Sequence, residues 1–141
     1  MEKCSDVMTK IPICCVPDES VIVAAKYMKG QNIGSIPVVQ TELTRTLVGI
    51  VTDRDLALEI VAKGINPKTM KVEDVMTRGV VTCLADDDLQ MALDAMSKYQ
   101  LRRIPVVDSE NRILGIIAQA DVATRINQPE KTAAVVKEIS Q

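Results

Sequence analysis

The chain has 141 residues, of which 47% are apolar and 26% are charged, and its formal net charge is −2. It contains no His, Phe or Trp and only two Tyr. The absence of His excludes Ser-His-Asp and Cys-His catalysis as well as His-ligated zinc. Without Phe, Trp or a basic excess, nucleic acid is not an expected partner.

The N-terminal residues lack the apolar stretch of a secretory signal, and no apolar run approaches the roughly 18 residues of a membrane span. We therefore expect a cytoplasmic protein that does not enter a membrane. Its cysteines are expected to be free thiols in small core positions: Cys4, Cys14, Cys15 and Cys83. A thiol or soft-metal role is the alternative, although no Cys-x-x-Cys spacing supports it.

Most of the chain consists of two copies of one unit. Three segments recur in the same order: Asp6–Thr9 as Asp74–Thr77, Ile36–Val39 as Ile104–Val107, and Leu47–Val51 as Ile113–Ile117. The offset is 68 residues for the first two segments and 66 for the third, and similarity of this kind indicates a duplication, whatever the family.

In the first copy, the apolar run Ile13–Val16 predicts a strand. A helix follows, because apolar residues then recur at helical spacing: Val21, Ala24, Ala25 and Met28. Two strands come next, Ile36–Val39 and Leu47–Val51. A second helix is predicted to start near Asp53, so the unit has the order β-α-β-β-α.

The second copy repeats this order, with a first strand at Val80–Leu84 and a second helix near Gln119. Its first helix has the same apolar spacing: Leu89, Ala92, Leu93 and Met96. The N-caps of the two first helices are expected at Asp18 or Ser20, and within Asp86–Asp88.

The predicted fold is α/β (α+β), with repeat 1 at residues 5–63, a linker at 64–71, repeat 2 at 72–126 and a C-terminal helical tail at 127–141. A unit of about 55 residues buries too little surface to be secure alone. We therefore expect the two repeats to pack as one compact module with pseudo-twofold symmetry.

The strand-to-helix junction Gly49–Asp55 is the main candidate site. The hydroxyl of Thr52 can donate to a phosphate, the carboxylate of Asp55 can accept from a ribose diol, and Gly49 leaves room for a close backbone approach. Alternatively, Thr52 and Asp55 form a helix-capping box with Asp in place of the usual Glu or Gln.

The second copy has Ala118 where the first has Thr52, yet it keeps the acid as Asp121. Ala118 cannot cap a helix, so a capping box explains Asp121 less well than it explains Asp55. Arg102 and Arg103 precede the Ile-Pro-Val-Val strand, and they are either a phosphate contact or ordinary exposed charges.

The duplicated pattern of Asp-Val-Met-Thr, helix, Ile-Pro-Val-Val and Gly-Ile-Val-Thr-Asp-Arg-Asp resembles the cystathionine-β-synthase (CBS) domain pair. The resemblance covers about residues 5–126 and is closest to stand-alone prokaryotic CBS-pair proteins of the hypoxic-response type. It implies a non-catalytic regulatory or sensor module that binds AMP, ADP, ATP or S-adenosylmethionine. It also implies a homodimer formed through the helices, with a downstream protein partner that the sequence does not specify.

The resemblance also implies two sets of ligand-binding residues, with no metal and no resident cofactor. The first set is Lys10, Ile11, Pro12, Ile13, Ser35, Ile36, Pro37, Thr52, Arg54 and Asp55. The second set is Val80, Val81, Thr82, Arg102, Arg103, Ile104, Pro105, Ala118 and Asp121. An adenine held there has no Phe or Trp to stack on, so aliphatic side chains must enclose it. The alternative function is a dimerisation scaffold with empty clefts.

Overall fold

The computed structural model describes residues 2–120 and 122. The chain forms two compact units. Unit 1 joins the chain up to Pro12 with the chain from Val81 onward, and unit 2 comprises Ile13–Val80. The predicted helical tail at 127–141 lies outside the described residues.

The chain is built from short helices and strands. The α-helices are α1 (Cys4–Val7), α2 (Val21–Gln31), α3 (Asp53–Leu56), α4 (Val72–Val75) and α5 (Leu89–Tyr99). The strands are β1 (Thr9–Lys10), β2 (Ser35–Val39), β3 (Leu47–Thr52), β4 (Cys83–Leu84), β5 (Arg103–Val107) and β6 (Ile113–Ala118). A π-helix at Ala57–Val61 continues α3, and Pro67–Thr69 is a short 3-10 helix.

Unit 2 is built on the antiparallel pair β2–β3 and on α2. The Ser20 hydroxyl caps α2 by accepting a hydrogen bond from the Ile22 amide at 3.1 Å, as the sequence predicts. Three of the four predicted apolar positions of α2 are buried, whereas Ala25 is exposed. The core of unit 2 centres on side chains of α2, β2 and β3: Val21, Ala24, Met28, Ile36, Val38 and Val51.

Unit 1 contains a four-stranded sheet in the order β1-β6-β5-β4, in which only β4 and β5 run parallel. The Asp88 carboxylate caps α5 by accepting from the Gln90 amide at 3.1 Å. All four predicted apolar positions of α5 are buried: Leu89, Ala92, Leu93 and Met96. They pack against Ile104 and Ile117 of β5 and β6.

The Asp-Val-Met-Thr segment of each copy lies in the unit built on the other copy. In unit 1, β1 pairs with β6, and the Cys4 amide donates to the Asp87 carbonyl at 2.9 Å. In unit 2, Thr77 bridges to Ile50, and the Val72 amide donates to the Glu19 carbonyl at 2.8 Å. The compact units therefore differ from the sequence repeats by an exchange of their leading segments.

The predicted first strand of each copy is largely absent. At Ile13–Val16 only Cys15 pairs, through a bridge to Val38, and at Val80–Leu84 only the last two residues form a strand. Pro12 and Pro17 flank the first of these runs, and proline cannot donate to a strand ladder. The mixed α/β class is nevertheless confirmed.

Candidate ligand-binding sites

The Thr52–Asp55 junction forms the complete capping box at the end of β3. The Thr52 Oγ1 accepts from the Asp55 amide at 3.0 Å, and Asp55 Oδ2 accepts from the Thr52 amide at 2.9 Å. Both residues are half-buried. The Thr52 hydroxyl keeps its proton to donate, and Asp55 Oδ1 accepts no hydrogen bond from the residues that the structure describes. The box therefore fixes both groups and still leaves a donor and an acceptor for a ligand.

Strand β2 brings Ser35 beside this junction, because Ser35 and Thr52 are register partners in the antiparallel pair. Partners in such a pair project to the same face of the sheet, so two hydroxyls lie side by side. Behind them Ile36 and Pro37 are buried, whereas Arg54 is exposed on α3. The structure therefore groups Ser35, Thr52 and Asp55, with Arg54 next in the chain.

Asp53 is a member of this group that the sequence analysis missed. Its amide donates to the Gly34 carbonyl at 2.8 Å, and its Oδ1 accepts from the Arg54 amide at 2.8 Å. A Cβ atom placed on Gly34 would lie 3.0 Å from Asp53 Oδ2. The only signal for Asp53 in the sequence was that a glycine precedes β2 and an acidic residue follows β3.

The predicted adenine-contacting segment is divided between the units. Lys10, Ile11 and Pro12 belong to unit 1, whereas Ile13 belongs to unit 2. Ile11 is 83% exposed, and its backbone has φ 53°. A β-branched residue is strained in this left-handed region, and strain of this kind clusters at ligand sites.

The matching junction of the second copy joins β5 to β6. Arg103 and Ala118 are register partners, and the Gln119 amide donates to the Arg102 carbonyl at 3.1 Å. Arg102 is exposed and Arg103 is half-buried, while Ile104 and Pro105 are buried behind them. Asp121, the predicted ribose contact of this copy, lies outside the described residues.

The remaining residues predicted for the second site are divided as in the first. Val80 belongs to unit 2, and Val81 and Thr82 belong to unit 1. All three are half-buried.

A close backbone approach occurs at Gly49, as predicted, but the approaching group is part of the protein. A Cβ atom there would lie 2.8 Å from Met76 Sδ and 3.0 Å from the Thr77 carbonyl oxygen. The close backbone approach is therefore made by the protein's own Asp-Val-Met-Thr segment, and a ligand is not needed to explain this glycine.

The cysteines are all free thiols, as predicted. Burial raises the pKa of Cys15 to about 12 and also raises the pKa of Cys14, although the Arg45 guanidinium lies 3.4 Å from the Cys14 sulfur. A hydrogen bond between Cys4 and Cys83 lowers the pKa of Cys4 and raises that of Cys83. Across residues 2–120 and 122, no group of three His, Cys, Asp or Glu side chains is arranged to hold a metal ion.

An open apolar groove of about 360 Å³ lies on unit 2 between α2 and the π-helix. It is lined by Val21, Ile22, Ala25, Lys26, Lys29, Leu56, Ile60, Val61, Ile65 and Pro67. This groove explains the exposed Ala25, which faces it rather than the core. Within the described part of the chain, no helix has both the length and the hydropathy that a bilayer crossing requires.

A family model described as the CBS domain matches residues 4–62 and 72–128. Hypoxic response protein 1 of Mycobacterium tuberculosis is 31% identical over 126 residues, which cover 89% of this chain and 86% of that protein. Inosine-5′-monophosphate dehydrogenase of Methanocaldococcus jannaschii is 38% identical over 130 residues, or 92% of this chain. The chain spans only 25% of the length of that enzyme.

Similar solved structures include complexes with adenosyl ligands. The CBS domain pair of protein MJ0100, in complex with 5′-methylthioadenosine and S-adenosyl-L-methionine, is similar with a TM-score of 0.75 and 32% identity over 87% of this chain and 94% of that chain. CBSX2 in complex with AMP is similar with a TM-score of 0.74 and 26% identity over 97% and 99% of the two chains. The resemblance found in the sequence is thereby confirmed.

Proposed function

Because the chain belongs to the CBS domain family, we propose that it is a non-catalytic regulatory module that binds an adenosyl ligand. The ligand classes are AMP, ADP, ATP and S-adenosylmethionine. The main support is the junction of β2 with β3, where Ser35, Thr52 and Asp55 present hydroxyl donors and a carboxylate acceptor together. The ligands in the structures of MJ0100 and CBSX2 support the same chemical class.

Each polar group of the first site has a role in this proposal. Asp55 Oδ1 accepts hydrogen bonds from the ribose diol, because an ionised carboxylate is an acceptor-only group that suits two donating hydroxyls. The hydroxyls of Ser35 and Thr52 donate to the 5′ substituent, and Arg54 adds a positive charge. In the second site Asp121 has the ribose role, and Arg102 and Arg103 replace the hydroxyls.

Aliphatic side chains enclose the adenine in this proposal, because the chain has no Phe or Trp. Ile11, Ile13 and Pro12 supply the apolar wall of the first site. Val80, Val81 and Thr82 occupy the equivalent places in the second site. The exposure and backbone strain of Ile11 support this role.

Signalling then follows from linkage: a ligand that binds one arrangement of the repeats or of the dimer more tightly shifts the equilibrium toward it.

We propose a homodimer formed through the helices, since the apolar groove beside α2 would otherwise remain in water. Packing of the two repeats as one compact module belongs to the same proposal. The free thiols favour a reducing compartment, which supports the cytoplasm as the location.

A thermal-shift panel of AMP, ADP, ATP, S-adenosylmethionine and NAD tests the function. A ligand at 100 times its Kd should raise the free energy of unfolding by about 2.7 kcal/mol. A panel in which no ligand raises the Tm contradicts the proposal and leaves the dimerisation scaffold.

Asp55→Ala should weaken binding of the identified ligand by about 1.5–3 kcal/mol, or roughly 10- to 150-fold, because a charge-assisted hydrogen bond is lost. The variant also loses a capping bond, so a matched control is needed. Asp74→Ala supplies it, because Asp74 Oδ2 accepts from the Lys71 amide at 2.8 Å, the same capping contact outside the proposed site. Calorimetric affinities that are equal in both variants would exclude the ribose role of Asp55.

Ile11→Asn should have opposite effects on stability and binding. Relief of the left-handed strain should raise the free energy of unfolding by about 1–2 kcal/mol, since Asn tolerates this region. Loss of the apolar wall should weaken ligand binding by about 1 kcal/mol, or roughly fivefold. Leu43→Asn is the control, because Leu43 is 94% exposed and lies outside the site. Urea titration and calorimetry measure the two effects, and unchanged affinity for Ile11→Asn would contradict the wall.

A further inference from the structure

The two proposed sites carry opposite charge at matched positions of the junction. At the four positions that flank the strand pair, the first copy has Gly34, Ser35, Thr52 and Asp53, and the second has Arg102, Arg103, Ala118 and Gln119. The backbone around them is equivalent, because both copies have the same register partner pair and the same amide-to-carbonyl bond across the junction. The difference between the sites therefore lies in their side chains.

In the first copy a carboxylate covers the start of β2. Asp53 Oδ2 lies so close to Gly34 that a Cβ there would be only 3.0 Å away. Arg54 is the single cation of the junction, and Asp55 does not distinguish the sites because the second copy has Asp121 at the matching position. A ligand with several 5′-phosphate charges would meet repulsion from Asp53, whose place in the second copy is taken by the uncharged Gln119.

In the second copy the same place holds hydrogen-bond donors. Arg102 and Arg103 form no ion pair with any of the residues that the structure describes. The Gln119 Nε2 is buried, and no described residue accepts a hydrogen bond from it. Because this nitrogen is closed to solvent, the donors that a ligand can reach at this junction are the two guanidinium groups.

We propose that the two sites select ligands by the charge of the 5′ substituent. The first site takes an adenosyl ligand whose 5′ substituent is an uncharged thioether, a weak acceptor for the hydroxyls of Ser35 and Thr52. The second takes an adenosine with a 5′-polyphosphate, held by the two guanidinium groups. This inference rests on the proposed function, and it means that the two sites respond to different ligands.

Titration calorimetry of the unmodified protein with ATP and with 5′-methylthioadenosine is the first test. We expect one equivalent of each per chain, bound without competition when both are present. Competition for a single site, or two equivalents of ATP with equal affinity, would overturn the inference while leaving the proposed function intact. If neither compound binds, the proposed function itself fails.

The double variant Arg102→Gln/Arg103→Gln tests whether the second site is the one that binds ATP. The double variant should weaken ATP binding by about 10- to 100-fold. Its affinity for 5′-methylthioadenosine should stay within twofold of that of the unmodified protein. Lys68→Gln/Lys98→Gln is the control, because it removes the same charge from exposed positions outside both junctions. Asp53→Asn, which keeps an oxygen for the Arg54 amide, should add a second equivalent of ATP. If the control and the arginine variant weaken ATP binding equally, the assignment of ATP to the second site is overturned.

Discussion

Leu93→Ala is expected to lower the free energy of unfolding by about 2–5 kcal/mol. Leu93 is 1% exposed on α5 and packs in the core of unit 1 with Met96, Ile104 and Ile117. Its removal costs the transfer free energy of the lost methyl groups and leaves a cavity, because β5 and β6 are fixed by their ladder and cannot close over it. Urea unfolding measures the change as a lower midpoint at an unchanged slope.

Met91→Ala is the control for this prediction, because it lies on the same helix and is 58% exposed. Its expected effect is within about 0.5 kcal/mol. The two variants together test the helical register that the sequence periodicity predicts. A loss for Met91→Ala as large as that for Leu93→Ala would show that α5 packs through a different face.

Gly115→Ala should lower the free energy of unfolding by about 3 kcal/mol, at the upper end for an overpacked site. A Cβ there would lie 2.6 Å from Met8 Sδ and 2.7 Å from the Thr9 carbonyl oxygen. The Met8 side chain can move away, but the carbonyl belongs to β1, whose pairing with β6 fixes it opposite this position. The new methyl group must therefore push the two strands apart.

Gly30→Ala is the matched control, with an expected effect of the opposite sign. No atom lies within 4 Å of a Cβ at Gly30, which is in the last turns of α2. Alanine should therefore stabilise the helix by about 0.5–1 kcal/mol through its lower conformational entropy in the unfolded chain. Thermal unfolding of both variants compares the two effects, and a Tm for Gly115→Ala equal to that of the unmodified protein would contradict the close approach.

Local patterns in the sequence were enough to predict several features. The apolar spacing identified α2 and α5 and the buried faces of both helices, except at Ala25. Ser20 and Asp88 were found as caps because a side-chain oxygen two residues before an amide acts locally. The capping box of Thr52 and Asp55 was likewise readable from spacing alone. The duplication and the CBS resemblance depended only on residue order.

Other features depend on contacts between residues far apart in the chain, and only the tertiary structure decided them. The predicted first strands are reduced to one or two paired residues, which pair with Val38 in unit 2 and with Val106 and Val107 in unit 1. Gly49 and Gly115 are explained by carbonyls of segments distant in sequence, at Thr77 and Thr9. Nothing in the sequence singled out Gln119, whose side-chain nitrogen is buried and has no hydrogen-bond partner among the described residues.

The exchange of leading segments shows most clearly which features the sequence determines and which the tertiary structure decides. The sequence by itself determined that Asp6–Thr9 and Asp74–Thr77 are equivalent, because repeats align by identity. It did not determine which copy each segment packs with, since both copies offer the same edge of backbone donors and acceptors. That choice is made by long-range hydrogen bonds and by the packing of Met8 and Met76 against a glycine in the partner strand. Interactions of this kind leave no periodic signal in the chain.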